Sequence, residues 1–261
     1  MVLGAVQGIT EFLPISSSGH LILVPWAADW DSPLLTGLTF AVAVHLGTGV
    51  AAFATLARQW RELLLDARDA AGNARQRLAA IVVGTAGVGI IAVLAESSIE
   101  TVYREPWIVA LALILGGSLL WAADRNAGPA DTSPAANFLP WLVIAFSQVV
   151  AFIPGVSRSG ITMTTARFLG IARVPAAIFS FQLMAPIILG AALWRGRDLF
   201  GGATSGADLA VLAVGALTSA VTGFLAARLL LAFLARNGFG PFALYRAILG
   251  VVALAFFFSR L

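Results

Sequence analysis

The sequence predicts an all-α polytopic membrane protein, with six transmembrane helices plus two re-entrant broken-helix segments arranged as an inverted repeat. Three observations carry this expectation. The first is composition: of 261 residues, 59% are hydrophobic and only 11% charged, whereas soluble domains average about a quarter charged. A soluble chain this apolar could not cover its surface with polar groups, and lipid as solvent removes that problem. The second is a series of apolar stretches close to the roughly twenty residues that cross a bilayer. The third is one interrupted pattern that occurs in both halves of the chain.

The spans fall near Leu35–Leu56, Leu78–Leu94, Trp107–Ala123, Pro175–Leu193, Leu209–Leu234 and Phe242–Phe258. Tryptophans near several ends (Trp60, Trp107, Trp121, Trp141, Trp194) suit the headgroup level. The polar stretch Arg58–Arg77 holds Arg58, Arg61, Arg68, Arg75 and Arg77. It reads as a solvated amphipathic loop, cytoplasmic by the positive-inside rule. The acidic loop Glu96–Glu105 then falls outside, Arg125, Arg173, Arg228 and Arg236 inside, and Arg195 and Arg197 outside, against the bias. Both termini are expected outside. The start of the chain has no basic n-region and carries Glu11, so no cleavable signal peptide is expected.

Two segments, Val2–Pro25 and Phe138–Leu169, are apolar but interrupted by Pro, Ser and Gly. Gln7-Gly-Ile-Thr-Glu11-Phe-Leu-Pro-Ile-Ser-Ser-Ser-Gly19 parallels Gln148-Val-Val-Ala-Phe-Ile-Pro-Gly-Val-Ser-Arg-Ser-Gly160. In each, an apolar half-helix runs to Phe-x-Pro and a Ser-rich turn follows. The three spans between them reverse direction, which predicts inverted repeats of approximately 1–124 and 125–261 within one membrane domain. Matching interruptions in two halves point to a binding site, because unpaired backbone survives at membrane depth only against protein or a wet cavity.

The chemistry follows from these breaks. Ser16, Ser17, Ser18 and Gly19 in one copy, and Ser157, Ser159 and Gly160 in the other, suit capped helix N-termini, which attract anions. Charged groups inside membrane segments are functional by default. Arg158 offers a planar fork for phosphate oxygens. Glu11 and Gln7 share a helix face suited to a divalent cation, Mg²⁺ or Ca²⁺. His20 suits acid, base or nucleophilic work near neutral pH. Blander readings stand beside these: Ser and Gly as packing residues, and Arg158 with Glu11 as a structural ion pair. His45 reads as a packed histidine or one that supports a functional neighbour, and Arg167 and Arg173 as interfacial. Gly84, Gly87, Gly89, Gly116 and Gly117 mark close helix packing.

Composition also excludes classes of function. With no cysteine there is no disulfide, Cys-ligated zinc or thiol nucleophile. The isoelectric point near 10.5 suggests nucleic acid, but the net charge is only +3 and no basic run with interleaved aromatics occurs. Nucleic acid is not an expected partner.

At Gln7 to His20, and again at Pro154-Gly-Val-Ser-Arg-Ser-Gly160, the chain resembles the undecaprenyl-pyrophosphate phosphatases, the bacterial membrane family linked to bacitracin resistance. The similarity extends over nearly the whole chain, including Phe179-Ser-Phe181. It implies hydrolysis of a C55 lipid pyrophosphate to the monophosphate and a divalent cation. It also implies a multi-pass location in the bacterial plasma membrane, with two re-entrant helix pairs and a pocket open to the outer face. Gln7 stands where many members carry Glu, which removes one carboxylate from the metal set.

On these residues the expected mechanism is in-line attack on the terminal phosphorus. Arg158, Ser157 and Ser159 hold the phosphate, Glu11 and Gln7 hold the metal, and Ser17 attacks with His20 as its base or acid. Attack by His20 itself is the open variant. A lipid-phosphate flippase is the alternative class, a dead scaffold is disfavoured, and a homodimer is left open.

Overall fold

The computed structural model describes residues 1–30, 32–68, 73–95, 104–127, 137–199 and 206–260, and among these every long element is helical. Six helices correspond to the expected spans: α4 (Leu38–Thr55), α6 (Asn73–Leu94), α7 (Pro106–Asn126), α10 (Arg173–Leu199), α11 (Gly206–Leu234) and α12 (Gly240–Phe258). Five of these are long and apolar enough to cross a membrane alone. The sixth, α4, meets that test together with α5 (Ala57–Asp66), from which it bends by 65°. A short helix α3 (Pro33–Thr36) precedes it. The chain is a multi-pass membrane protein.

The two broken segments are α1 (Val2–Phe12) with α2 (Ser17–Ala27), and α8 (Phe138–Phe146) with a 3₁₀ stretch (Ser147–Phe152) and α9 (Arg158–Phe168). Helices α1, α2 and α9 have eleven residues each, so each reaches about 16 Å, roughly half the hydrocarbon thickness. The cause of each break is local. Pro14 and Pro154 lack an N–H and push the preceding residue out of the helical region: Leu13 sits at φ −65°, ψ 140° and Ile153 at φ −77°, ψ 111°.

The second approach departs from the expected α geometry. Only four steps separate Gln148 from Phe152, against five from Gln7 to Phe12. A 3₁₀ rise of about 2.0 Å per residue makes about 8 Å of that interval, close to the about 7.5 Å of the α-helical copy. The two intervals therefore span nearly the same length.

Contacts between broken segments and spans are close because small residues face each other. A Cβ on Gly4 would lie 2.6 Å from the Gly215 carbonyl oxygen, and one on Gly8 2.0 Å from Thr222 Oγ1. Expected close packing is present at Gly84 against Ala145 and at Gly87 against Phe146. Gly89 differs, since its nearest neighbour is 4.0 Å away and it lines a cavity instead. The core around Phe12, Phe181, Met184 and Phe239 fixes the end of α1 against α10, with the Phe12 and Phe181 rings edge to face at 5.0 Å.

One expectation needs correction. The stretch Arg58–Arg77 is not simply a solvated loop: α5 is helical and its Leu63 is buried. Arg77 belongs to α6, lies 5.0 Å over the Trp141 ring and donates to Gln182 Oε1 at 3.0 Å. The spacing of Trp60, Leu63 and Leu64 supplies the apolar face of the amphipathic pattern. Arg167, expected to be interfacial, is packed inside the protein in the last turn of α9. It is 4% exposed and donates to Asp124 Oδ1 at 3.1 Å and to the Ile171 carbonyl at 2.7 Å. Most of the acidic loop Glu96–Glu105 and the side chains of Arg195 and Arg197 lie outside the described residues.

Asp124 also accepts from Arg173 Nε at 2.7 Å and from the Phe239 amide at 2.9 Å, joining α7, α9, α10 and the α11–α12 turn. Removing one partner of a buried ion pair costs about 3 kcal/mol. Asp124→Ala is therefore expected to lower the thermal unfolding midpoint in detergent by several degrees. An unchanged midpoint would show that the knot contributes nothing.

Candidate active site

Both turns restart their helices in the same way. Ser16 and Ser157 cap α2 and α9 from positive φ, 76° and 73°, and accept from Gly19 N at 3.3 Å and Gly160 N at 3.0 Å. Each cap hydroxyl pairs with the serine two residues on, Ser16 with Ser18 at 3.4 Å and Ser157 with Ser159 at 3.2 Å. Ser17 and Arg158 consequently occupy the same first helical position of the two copies. Ser159 Oγ donates to the Leu13 carbonyl at 3.2 Å, which joins the turns directly.

Glu11 is the point where the two halves meet. It is 5% exposed. Its Oε1 accepts from Arg158 Nη2 at 2.9 Å, and its Oε2 accepts from Gln7 Nε2 at 3.0 Å and from the Ser17 hydroxyl. Arg158 also donates through Nη1 to the Ser180 carbonyl at 3.1 Å. His45 Nε2 stands 3.6 Å from Glu11 Oε2, and its Nδ1 contacts the Ala41 carbonyl at 2.7 Å. His45 is therefore beside the carboxylate, the place of a histidine that supports a functional neighbour.

These groups supply the polar part of a pocket of about 310 Å³, with Glu11, Ser17, Ser18, Ser157, Arg158 and His45 in its lining beside apolar Val42, Ile187 and Ile188. It adjoins a cavity of about 720 Å³ with Leu21, Ile22, Leu35, Phe40 and Ile187 in its apolar walls. Ser18 and His45 line both. A charged head and a long apolar tail match the two compartments. Gln7, Ser16, Gly19, His20, Ser159 and Gly160 are also brought to the turns, but they stand behind the pocket wall.

The histidine of the first motif has different partners from those expected. His20 Nδ1 contacts the Ser16 carbonyl at 2.7 Å and its Nε2 contacts the Tyr245 hydroxyl at 2.7 Å. A carbonyl only accepts, so Nδ1 carries the proton and Nε2 is free to accept from Tyr245. Ser17 is hydrogen-bonded to Glu11 and not to His20.

The residues were also tested against a divalent cation. Among the described residues no group of three or more His, Asp or Glu is gathered. Glu11 supplies one carboxylate to the pocket, while the Gln7 amide oxygen is buried without a partner behind it. One carboxylate with the substrate's own phosphates is a normal way to hold Mg²⁺, and the site fits a cation in that mode.

Sequence reading missed Arg246 and Tyr245. Arg246 is fully buried in α12 and, among the described residues, donates only to backbone carbonyls, those of Gly155 at 3.0 Å and Val156 at 2.8 Å among them. An arginine inside an apolar span was the available signal.

Comparison with known proteins places this arrangement. Residues 1–252 match the family described as bacitracin resistance protein BacA. The chain is 43% identical over its whole length to the undecaprenyl-diphosphatase of Moorella thermoacetica, covering 97% of that protein. It is 41% identical to that of Desulforudis audaxviator, over 97% of this chain and 95% of the relative. It is also 41% identical to that of Geobacter sulfurreducens, over 99% and 97%. With a full-length match of this kind and two broken-helix turns meeting at Glu11 and Arg158, the chain belongs to the bacitracin resistance protein BacA family.

Proposed function

We propose that the chain is an undecaprenyl-diphosphatase that releases inorganic phosphate from a prenyl pyrophosphate within the membrane. The observation that carries this reading is the meeting of Ser17, Glu11 and Arg158 in a pocket that adjoins a largely apolar cavity of about 720 Å³. Phosphoryl transfer relies on positioning and charge stabilisation more than on covalent chemistry, and few groups are needed. Ser17 Oγ bonds to the terminal phosphorus as the bridging P–O bond breaks, and the lipid monophosphate leaves. Glu11, already hydrogen-bonded to Ser17, takes the proton. Arg158 neutralises the non-bridging oxygens, and water then cleaves the phosphoserine. When bound at Glu11, a divalent cation, Mg²⁺ or Ca²⁺, supplies Lewis-acid neutralisation of phosphate charge.

The halves 1–124 and 125–261 are read as inverted repeats, supported by the matched caps at Ser16 and Ser157. The pocket is assigned to the outer face of the bacterial plasma membrane. Arg58, Arg61 and Arg68 lie in or just after α5, Arg125 in the last turn of α7 and Arg173 at the start of α10, while Arg104 lines the large cavity. The positive-inside rule puts those five arginines in the cytoplasm.

The test is phosphate release by purified protein in detergent, with a prenyl pyrophosphate, with and without chelator. Release is expected, with a loss of about tenfold or more on chelation. Absence of release would overturn the hydrolase in favour of a transporter, whose architecture overlaps with this one.

A further inference from the structure

Arg246 is fully buried in a span, with no carboxylate partner among the described residues. Its guanidinium instead donates to five backbone carbonyls. Nε reaches Leu113 at 3.2 Å, and Nη1 reaches Pro14 at 3.4 Å. Nη2 reaches Ala112 at 3.4 Å, Gly155 at 3.0 Å and Val156 at 2.8 Å. These carbonyls come from three places: helix α7, the turn before Ser16 and the turn before Ser157. One rigid planar group therefore spans the two breaks.

The surroundings are shaped for it. A Cβ on Gly116 would lie 2.1 Å from Nη2, and one on Gly160 2.8 Å from Nη1. The preceding residue grips the first turn as well, because the Tyr245 hydroxyl holds His20 and His20 holds the Ser16 carbonyl. Consecutive residues of α12 thus hold both turns from behind the pocket, and neither lines the polar pocket among the described residues.

We infer that Arg246, seconded by Tyr245 through His20, is a positioning residue that sets the spacing between Ser17 with Glu11 on one turn and Arg158 on the other. This rests on the phosphatase reading of the site. A lysine cannot replace it, since three donors on one point do not reach carbonyls on three elements in fixed directions.

The experiment uses the full chain, purified in detergent, as Arg246→Lys, Arg246→Met and Gly116→Ala. Turnover is measured on a prenyl pyrophosphate. A fall of about 100-fold in kcat is expected for the Arg246 variants, with KM within about threefold, because misplacing reacting groups by about 1 Å costs that much. Gly116→Ala keeps the charge but displaces the guanidinium, and should lose at least about tenfold in kcat.

The chain has no cysteine, which allows a second readout independent of activity. A Ser18→Cys, Ala151→Cys pair, on opposite broken segments and both lining the pocket, is cross-linked with thiol reagents of graded length. The unsubstituted background should favour one length, and Arg246→Lys should spread the preference. Wild-type kcat in Arg246→Lys and Gly116→Ala overturns the inference, and so does lost kcat with an unchanged cross-linking profile. If Arg246→Met does not fold, the other two variants decide. If the unsubstituted protein releases no phosphate, the phosphatase reading fails, and cross-linking still decides whether Arg246 sets the spacing.

Discussion

Arg158→Lys is expected to lower kcat by about 10²- to 10³-fold, the loss seen when one preorganised donor to a developing oxyanion is removed. The reason lies in how the guanidinium is held. Its Nη1 is tied to the Ser180 carbonyl and its Nη2 to Glu11, which orients the plane and leaves N–H groups for phosphate oxygens. Lysine keeps the charge but, as a compact point, cannot satisfy both anchors and a phosphate in a fixed plane.

The measurement is steady-state phosphate release, with KM recorded beside kcat. Near-normal turnover would leave Arg158 as a structural ion-pair partner of Glu11 and remove the central element of the proposed mechanism. Loss of binding alone, seen as a raised KM with kcat intact, would place the arginine in ground-state recognition.

Much of this site was legible in the sequence because the determinants of each turn are local. Pro14 and Pro154 stop a helix by losing an N–H, and Ser16 and Ser157 restart one by capping it. Both effects are decided within a few residues. The i, i+4 spacing likewise placed Gln7 beside Glu11, and the structure has them 3.0 Å apart.

Partners far apart in the chain were not legible. Tyr245 meets His20 across 225 positions, and Arg246 meets Pro14 across 232. No periodicity within α12 announces either contact. The partner of Arg167 was hidden for a related reason. Its place near a helix end suits the interface, and only the fold brings Asp124 from α7 to neutralise it. His45 shows the same limit: its place in the helix left packing and support of a functional group both open, and setting α4 against α1 brought it to Glu11.

Ser17→Ala is expected to abolish turnover, by at least about 10³-fold, since the loss of a covalent nucleophile is among the largest single-residue effects in catalysis. His20→Ala should cost less, about ten- to thirtyfold, the scale of a positioning defect. The geometry separates the two residues. Ser17 lines the polar pocket, begins α2 and gives its hydroxyl hydrogen bond to Glu11. It has both an approach to phosphorus and a neighbouring base.

His20 is 7% exposed and has both ring nitrogens engaged, one by a carbonyl that can only accept and the other by Tyr245. To attack, it would have to release Tyr245 and pass the serine turn that lies between it and the pocket. Rapid-quench capture of a phosphorylated residue from labelled prenyl pyrophosphate supplies the direct check. Acid-stable label on the peptide containing Ser17 is expected, whereas phosphohistidine is acid-labile. If Ser17→Ala kept most of its turnover while His20→Ala lost nearly all, the serine would be reduced to a phosphate ligand, and Glu11 would have to act on a different nucleophile.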